Sequence, residues 1–172
     1  MISGRVWKFG DLISTDLMLP QPAQLLSENE QMKWIFQANR PNWINEVRTG
    51  DIIIAGKSFG TGSSRPAARS LKNIGVACLV ADSIARLFFR NAVNFGLLAL
   101  ECPGVSAAFQ EGQTAEVCLE DWTVRNSSTG AVLNLTPVPE ALISLMRSGG
   151  IFPLLEQEGI VGPRPDPSGV QI

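Results

Sequence analysis

The sequence predicts an α/β domain with a parallel βαβαβ core and a small additional antiparallel β meander. Three apolar runs, at residues 51–55, 76–81 and 97–102, alternate with two segments of helical pattern, as in units that build parallel sheets. The first run, DIIIA, lacks polar alternation, which is typical of a strand buried on both faces. Beyond these runs, short strand-like segments separated by turn residues indicate the meander.

Two elements and a loop precede the core. Residues 2–9 are predicted as a strand and residues 12–20 as an extended loop. Ser27 and Glu30 have the spacing of a capping box, and apolar residues follow them at helical spacing. A helix is therefore predicted over 28–39.

The core elements follow in a regular order. A glycine- and serine-rich loop over 56–65 leads into a helix over 66–73, which has a proline in its first turn and Gly75 near its end. After the second strand, Asp82 is expected to cap a helix that runs to Gly96.

The meander is predicted over residues 114–119, 121–125 and 131–135. A helix over 139–147, ended by two glycines, follows it.

The length of 172 residues suits a single domain, which we place at 1–160. Residues 161–172 are rich in proline and glycine and are predicted to form a flexible C-terminal tail.

Composition excludes several functions. No run approaches the roughly 18 apolar residues of a membrane span, so no membrane association is expected. A net charge of −2 and a pI near 5.2 disfavour nucleic acid as a partner. The N-terminal residues lack the pattern of a secretory signal, so a cytoplasmic location is expected.

The chain is poor in metal ligands. It contains no histidine, which excludes histidine-based triads and zinc sites within the chain. Cys78, Cys102 and Cys118 are too widely spaced for an iron–sulfur motif and are predicted to be buried apolar residues. No metal site is therefore expected in this chain.

The loop from Ser58 to Arg65 has the features of an anion site. It follows a parallel strand at the edge where open α/β sheets bind their ligands. Its glycines allow backbone N–H groups to converge, its hydroxyls are donors, and the next helix adds a positive N-terminus. Arg65 adds a planar cation suited to a carboxylate or phosphate.

Alternatives remain for this loop. Ser63 and Ser64 have the residue type and position of simple helix caps. Arg65 at a helix N-terminus opposes the macrodipole, which favours a bound anion. Nucleotide binding is disfavoured, because the only lysine of the loop, Lys57, stands at its start rather than before the serine.

A second candidate is Ser14-Thr15-Asp16, which follows the first predicted strand. Taken alone, this triplet is equally typical of an Asx or Ser/Thr turn.

Taken together, these motifs resemble a known family. Gly4-Arg5-Val6, Thr15-Asp16, Gly62-Ser63-Ser64-Arg65 and the run from Ala85 to Ala92 are similar to motifs of the small subunit of 3-isopropylmalate dehydratase. That family is similar to the C-terminal swivelling domain of aconitase. The resemblance covers residues 4–20 and 50–102 closely, and it implies a swivelling β/β/α domain.

The resemblance also implies a function. The family removes water from a 2-hydroxy dicarboxylic acid and adds it back at the neighbouring carbon, as in the isomerisation of 2-isopropylmalate to 3-isopropylmalate in leucine biosynthesis. It implies a heterodimer in which a large aconitase-like subunit carries a [4Fe-4S] cluster, and the small subunit is active only with that partner.

By resemblance, Ser63 is the catalytic base that takes the α-proton, and Arg65 binds a substrate carboxylate. The remaining predicted substrate-binding residues are Ser64, Gly62, Thr61, Asp16 and Thr15.

The sequence departs from the family pattern at three places, one of which is Thr61, where the family often has Cys. Pro66-Ala67 stands where the family usually has Glu-His, and residues 21–25 lack the arginine and tyrosine of the family's specificity loop. The substrate thus stays open between isopropylmalate and another C3-substituted malate. Two other functions remain alternatives: a diverged non-catalytic module that binds a carboxylate or phosphate, and RNA binding, which the charge disfavours.

Overall fold

The computed structural model describes residues 1–62 and 65–162. The strands are β1 (Ile2–Lys8), β2 (Ile52–Ala55), β3 (Cys78–Ala81), β4 (Ala99–Glu101), β5 (Thr114–Cys118), β6 (Thr123–Asn126) and β7 (Val132–Asn134). The α-helices are α1 (Thr15–Met18), α2 (Glu28–Trp34), α3 (Trp43–Glu46), α4 (Ala67–Ile74), α5 (Arg86–Phe95), α6 (Val105–Ala108), α7 (Glu140–Arg147) and α8 (Ile151–Gln157), with a 3₁₀ helix at Gln21–Leu25.

All seven strands form one mixed sheet in the order β4-β3-β2-β1-β5-β6-β7. Strands β1 to β4 are parallel, and β5 pairs antiparallel with β1, so the meander extends the same sheet. The predicted α/β class and βαβαβ core are confirmed, and β1, which was predicted as a strand over 2–9, joins the core as a further parallel strand beside β2.

The apolar run of β2 is explained by burial on both faces of the sheet. Ile53 and Ala55 pack in one core layer with residues of α1, α4 and α5. Ile52 and Ile54 pack in a second layer with residues of α6, α7 and the meander. A strand between two apolar layers has no solvent face, so polar alternation is lost.

Tertiary contacts shorten the helix predicted over 28–39. The capping box of Ser27 and Glu30 is present, but the helix ends at Trp34. Phe36 has a φ of 59° and turns into the core, where its ring lies 5.0 Å from that of Trp43.

The prediction that Asp82 caps α5 is wrong. The Asp82 carboxylate accepts hydrogen bonds from the backbone N–H and hydroxyl of Ser106, while Ala85 occupies the N-cap position. Helix α5 does end at Gly96, as expected.

Four α-helices, α1, α3, α6 and α8, and the 3₁₀ helix were not predicted. Helix α1 lies within the segment expected to be extended, and α8 follows the two glycines after α7. The predicted tail at 161–172 lies outside the described residues from position 163 onward. No helix in the described ranges is long and apolar enough to cross a membrane.

Asp51 anchors the edge of the sheet where β2 begins. Its carboxylate is 7% exposed and accepts hydrogen bonds from Arg5 Nη2 at 2.8 Å, Trp7 Nε1 at 2.6 Å and the Arg48 backbone N–H at 2.9 Å. Burial alone would raise the pKa of Asp51, but these donors outweigh burial and hold the pKa below its usual value. The ionised carboxylate therefore stabilises the fold.

We expect Asp51→Asn to lower the free energy of unfolding by about 1–3 kcal/mol at pH 7, because three donors lose a charged acceptor. Glu158→Gln, which removes a charge from an exposed position, should change it by less than about 0.5 kcal/mol. Urea denaturation measures both.

The same pair of proteins tests the lowered pKa. The contribution of the Asp51 carboxylate to the free energy of unfolding should be complete above about pH 4. It should fall as the pH drops through the lowered pKa that Asp51 has in the folded state. The stability gap between wild type and Asp51→Asn should therefore narrow below pH 4. A gap that widens on acidification would contradict this assignment.

Candidate active site

Loops that follow β1 and β2 continue the hydrogen bonding of the sheet beyond the strands. The N–H of Gly60 donates to the carbonyl of Ile13 at 2.7 Å, and the N–H of Thr15 donates to the carbonyl of Thr61 at 2.7 Å. The two sequence motifs predicted as candidate sites are thereby held side by side.

The loop after β3 joins the same arrangement. The N–H of Phe59 donates to the carbonyl of Ser83 at 3.0 Å, and the N–H of Ala85 donates to the carbonyl of Phe59 at 2.8 Å. The buried Phe59 ring packs edge-on against Phe88 of α5, with 5.4 Å between centroids. Three loops at the carboxyl edge of the parallel strands thus form one rigid layer.

Two glycines allow this close packing. Gly60 has a φ of 84°, and a Cβ there would lie 2.3 Å from Phe88 Cβ. Gly62 has a φ of 106°, and a Cβ there would lie 3.0 Å from Thr15 Oγ1. Both backbone conformation and space therefore require glycine at these positions. The predicted convergence of N–H groups on an anion does not include Gly60, whose N–H donates to the Ile13 carbonyl.

Ser14 begins α1 and sets the direction of Asp16. Its hydroxyl accepts a hydrogen bond from the Leu17 N–H at 3.2 Å, so it is an N-cap. The Asp16 side chain in the first turn is 58% exposed, while Thr15 is buried.

Arg65 meets Asp16 across the two loops. Its Nη2 lies 2.6 Å from Asp16 Oδ1, its Nη1 donates to the Leu19 carbonyl at 2.7 Å, and its side chain is only 12% exposed. Pro66 is the N-cap of α4, which begins at Ala67, so Arg65 stands just outside the helix.

The structure therefore brings Thr15, Asp16, Thr61, Gly62 and Arg65 together at one edge of the sheet. Ser63 and Ser64 lie outside the described residues. The individual roles of all seven residues stay predictions.

The partners of Arg65 within the chain were not anticipated from the sequence. The macrodipole argument explained this cation by a bound anion alone, whereas Asp16 and the Leu19 carbonyl also stabilise it. The acidic Asp16 in the neighbouring candidate motif was a sequence signal for such a partner. Its position opposite Arg65, however, depends on how the two loops are aligned in the fold.

The cysteines do not form a ligand set. Cys78 and Cys102 are buried, and burial raises the pKa of Cys78 and raises that of Cys102 to about 11. Cys118 is only partly buried, which differs from the prediction. Among residues 1–62 and 65–162, no group of three or more histidine, cysteine or acidic side chains is placed to hold a metal ion.

The fold and the position of the site define the class of protein. The sequence model of the aconitase C-terminal domain family matches residues 23–104. A crystal structure of 3-isopropylmalate dehydratase from Methanocaldococcus jannaschii superimposes with a TM-score of 0.85 at 28% identity, covering 92% of this chain and 95% of that chain.

Curated relatives identify the family. A 3-isopropylmalate dehydratase small subunit of Methanopyrus kandleri is 43% identical over 92% of this chain and 95% of its own length. The isopropylmalate/citramalate isomerase small subunit of Methanocaldococcus jannaschii is 40% identical, with 92% and 95% coverage. A small subunit from Thermotoga maritima is 43% identical, with 92% and 97% coverage.

The chain therefore belongs to the family of 3-isopropylmalate dehydratase small subunits, and it is a subunit of an aconitase-family hydro-lyase. The alternative of a diverged, non-catalytic anion-binding module is not favoured.

We expect Gly60→Ala to lower the free energy of unfolding by about 2–4 kcal/mol, because it combines an unfavourable φ with overlap on Phe88. Gly10→Ala is the matched control, since a Cβ at Gly10 meets nothing within 4 Å, and it should change stability by less than about 0.5 kcal/mol. Equal urea midpoints for the two variants would show that the loop does not depend on Gly60.

Proposed function

We propose that this chain works with a large aconitase-like subunit to isomerise isopropylmalate, or a related C3-substituted malate, by dehydration and rehydration. The observation that carries the proposal is the largely buried guanidinium of Arg65, which is held at the carboxyl edge of the parallel strands against an exposed carboxylate. Such a group is suited to a dicarboxylate substrate.

Arg65 is proposed to bind a substrate carboxylate. Its present partner Asp16 is more than half exposed, so solvent screens the attraction between the two charges. A substrate carboxylate can therefore take the place of Asp16 at small cost, while the hydrogen bond to the Leu19 carbonyl keeps the guanidinium oriented.

Ser63 is proposed as the base that takes the α-proton. A serine acts as a base only as an alkoxide, whose pKa in water lies far above neutrality. The guanidinium of Arg65, two positions along the chain, would favour that charged form. Ser64, Thr61, Gly62 and Thr15 are proposed to complete the substrate contacts.

The partner is proposed to carry the [4Fe-4S] cluster. The chain has no histidine and only three separated cysteines, so its residues do not fit the ligation of a cluster. The cluster would supply Lewis acid chemistry toward the substrate hydroxyl and carboxylate.

The substrate class is supported by the names of the relatives. One relative is named for isopropylmalate and citramalate, and both are hydroxy-dicarboxylates. Residues 21–25, which lack the arginine and tyrosine of the family loop, form the 3₁₀ helix that follows α1. We propose isopropylmalate as the substrate, leucine biosynthesis as the pathway and the cytoplasm as the location.

Reconstitution tests the proposal directly. The chain and a cluster-loaded large subunit, mixed anaerobically, should convert isopropylmalate, whereas the chain alone should not. The absorbance of the unsaturated product measures this conversion. Citramalate in a parallel assay distinguishes the two named substrates. A complex with an intact cluster that converts no substituted malate would contradict the proposal.

The two serines provide a contrast. In the reconstituted complex, Ser63→Ala should lower kcat by about 10²–10⁴-fold with little change in KM, because its role is in proton transfer. Ser64→Ala should raise KM or cost about 0.5–2 kcal/mol of stability. Near-wild-type kcat for Ser63→Ala would exclude it as the base.

Arg65→Lys keeps the charge but loses the planar fork. We expect KM for the dicarboxylate to rise by about tenfold or more, as for one lost charged hydrogen bond. Lys57→Arg, an exchange of the same two residue types at an exposed position, is the control. Unchanged KM for Arg65→Lys would show that Arg65 does not bind substrate.

A further inference from the structure

A cleft of about 590 Å³ opens between α5 and the segment that connects β7 to α7. Its walls are mainly apolar, with Phe89 on one side and the Pro137-Val138-Pro139 turn on the other. Two arginines of α5, Arg86 and Arg90, also line it. Neither arginine has a role in the site described above.

The positions of the two arginines do not favour the stability of α5. They are exposed and four residues apart on α5, so their like charges lie on one helix face. Arg86 also stands in the first turn, where a cation opposes the macrodipole. Within residues 1–62 and 65–162 neither forms an ion pair.

One carboxylate, Glu101, lies in the cleft with them. Its Oε1 accepts a hydrogen bond from the Ile84 N–H at 2.7 Å, so it is oriented toward the backbone. Two guanidinium groups against one carboxylate leave an excess of positive charge above an apolar floor. The complementary ligand is a carboxylate flanked by apolar groups.

The cleft adjoins the candidate active site. Ile84, which lines it, forms a β-bridge with Phe59 in the loop of the anion motif. Leu87, in the same helical turn as the arginines, is 42% exposed. Arginines and leucine open to solvent fit a protein surface better than a small ligand, which is normally enclosed on most sides.

We propose that this cleft docks a segment of the large subunit that presents an acidic side chain between apolar residues. The proposal rests on the proposed function, because it takes its partner from there. Contact next to the active site would seat the large subunit over Arg65 and the substrate.

The double variant Arg86→Glu/Arg90→Glu tests the docking. Its Kd for the cluster-loaded large subunit, measured by calorimetry, should rise by at least about 30-fold, as expected when a charge pair becomes a repulsive one. At saturating large subunit, kcat should stay at the wild-type value. Arg125→Glu/Arg147→Glu, the same charge change at exposed arginines outside the cleft, should leave Kd unchanged.

The outcomes separate the two proposals. If the wild-type chain does not bind the large subunit, the proposed function is contradicted. If the wild type binds and the Arg86→Glu/Arg90→Glu variant binds equally well, or if both double variants are weakened alike, the docking cleft is overturned while the function stands. Titration of the isolated chain with isopropylmalate tests whether a small carboxylate occupies the cleft instead. If the wild-type chain binds isopropylmalate and the Arg86→Glu/Arg90→Glu variant does not, the cleft binds a small carboxylate and the docking proposal is overturned.

Discussion

The site depends on the hydrogen bonds that join the loops beyond β1, β2 and β3. The donation from Thr15 N–H to the Thr61 carbonyl sets the register in which Asp16 comes opposite Arg65. Gly60 makes that register possible, because its lack of a Cβ lets the loop approach Phe88. A backbone constraint, rather than any one charged pair, therefore determines where the functional side chains lie.

The remainder of the sheet supports this constraint from the opposite edge. Asp51, at the start of β2, is tied to β1 through Arg5 and Trp7, so the two strands cannot slip relative to each other. A slip of one residue would exchange the two apolar layers that β2 separates. The alignment of the loops at the carboxyl edge thus depends on contacts at the opposite end of the same strands.

Local patterns in the sequence were sufficient to predict the parallel core and the glycine-rich loop that follows β2, because apolar runs and glycines act on their immediate neighbours. They were insufficient where a distant segment competes. Asp82 has the residue type of a helix cap but bonds to Ser106, and Phe36 leaves a helical pattern to pack on Trp43. The Asp16 to Arg65 pair likewise joins residues that only the sheet register brings together.

The residue composition of this chain limits which of its side chains can titrate near neutral pH. Without histidine, and with Cys78 and Cys102 held protonated by burial, the described core presents no side chain of ordinary pKa near neutrality. Proton transfer on this side of the site therefore falls to the proposed Ser63 base, and any imidazole titration near pH 7 has to arise in the partner.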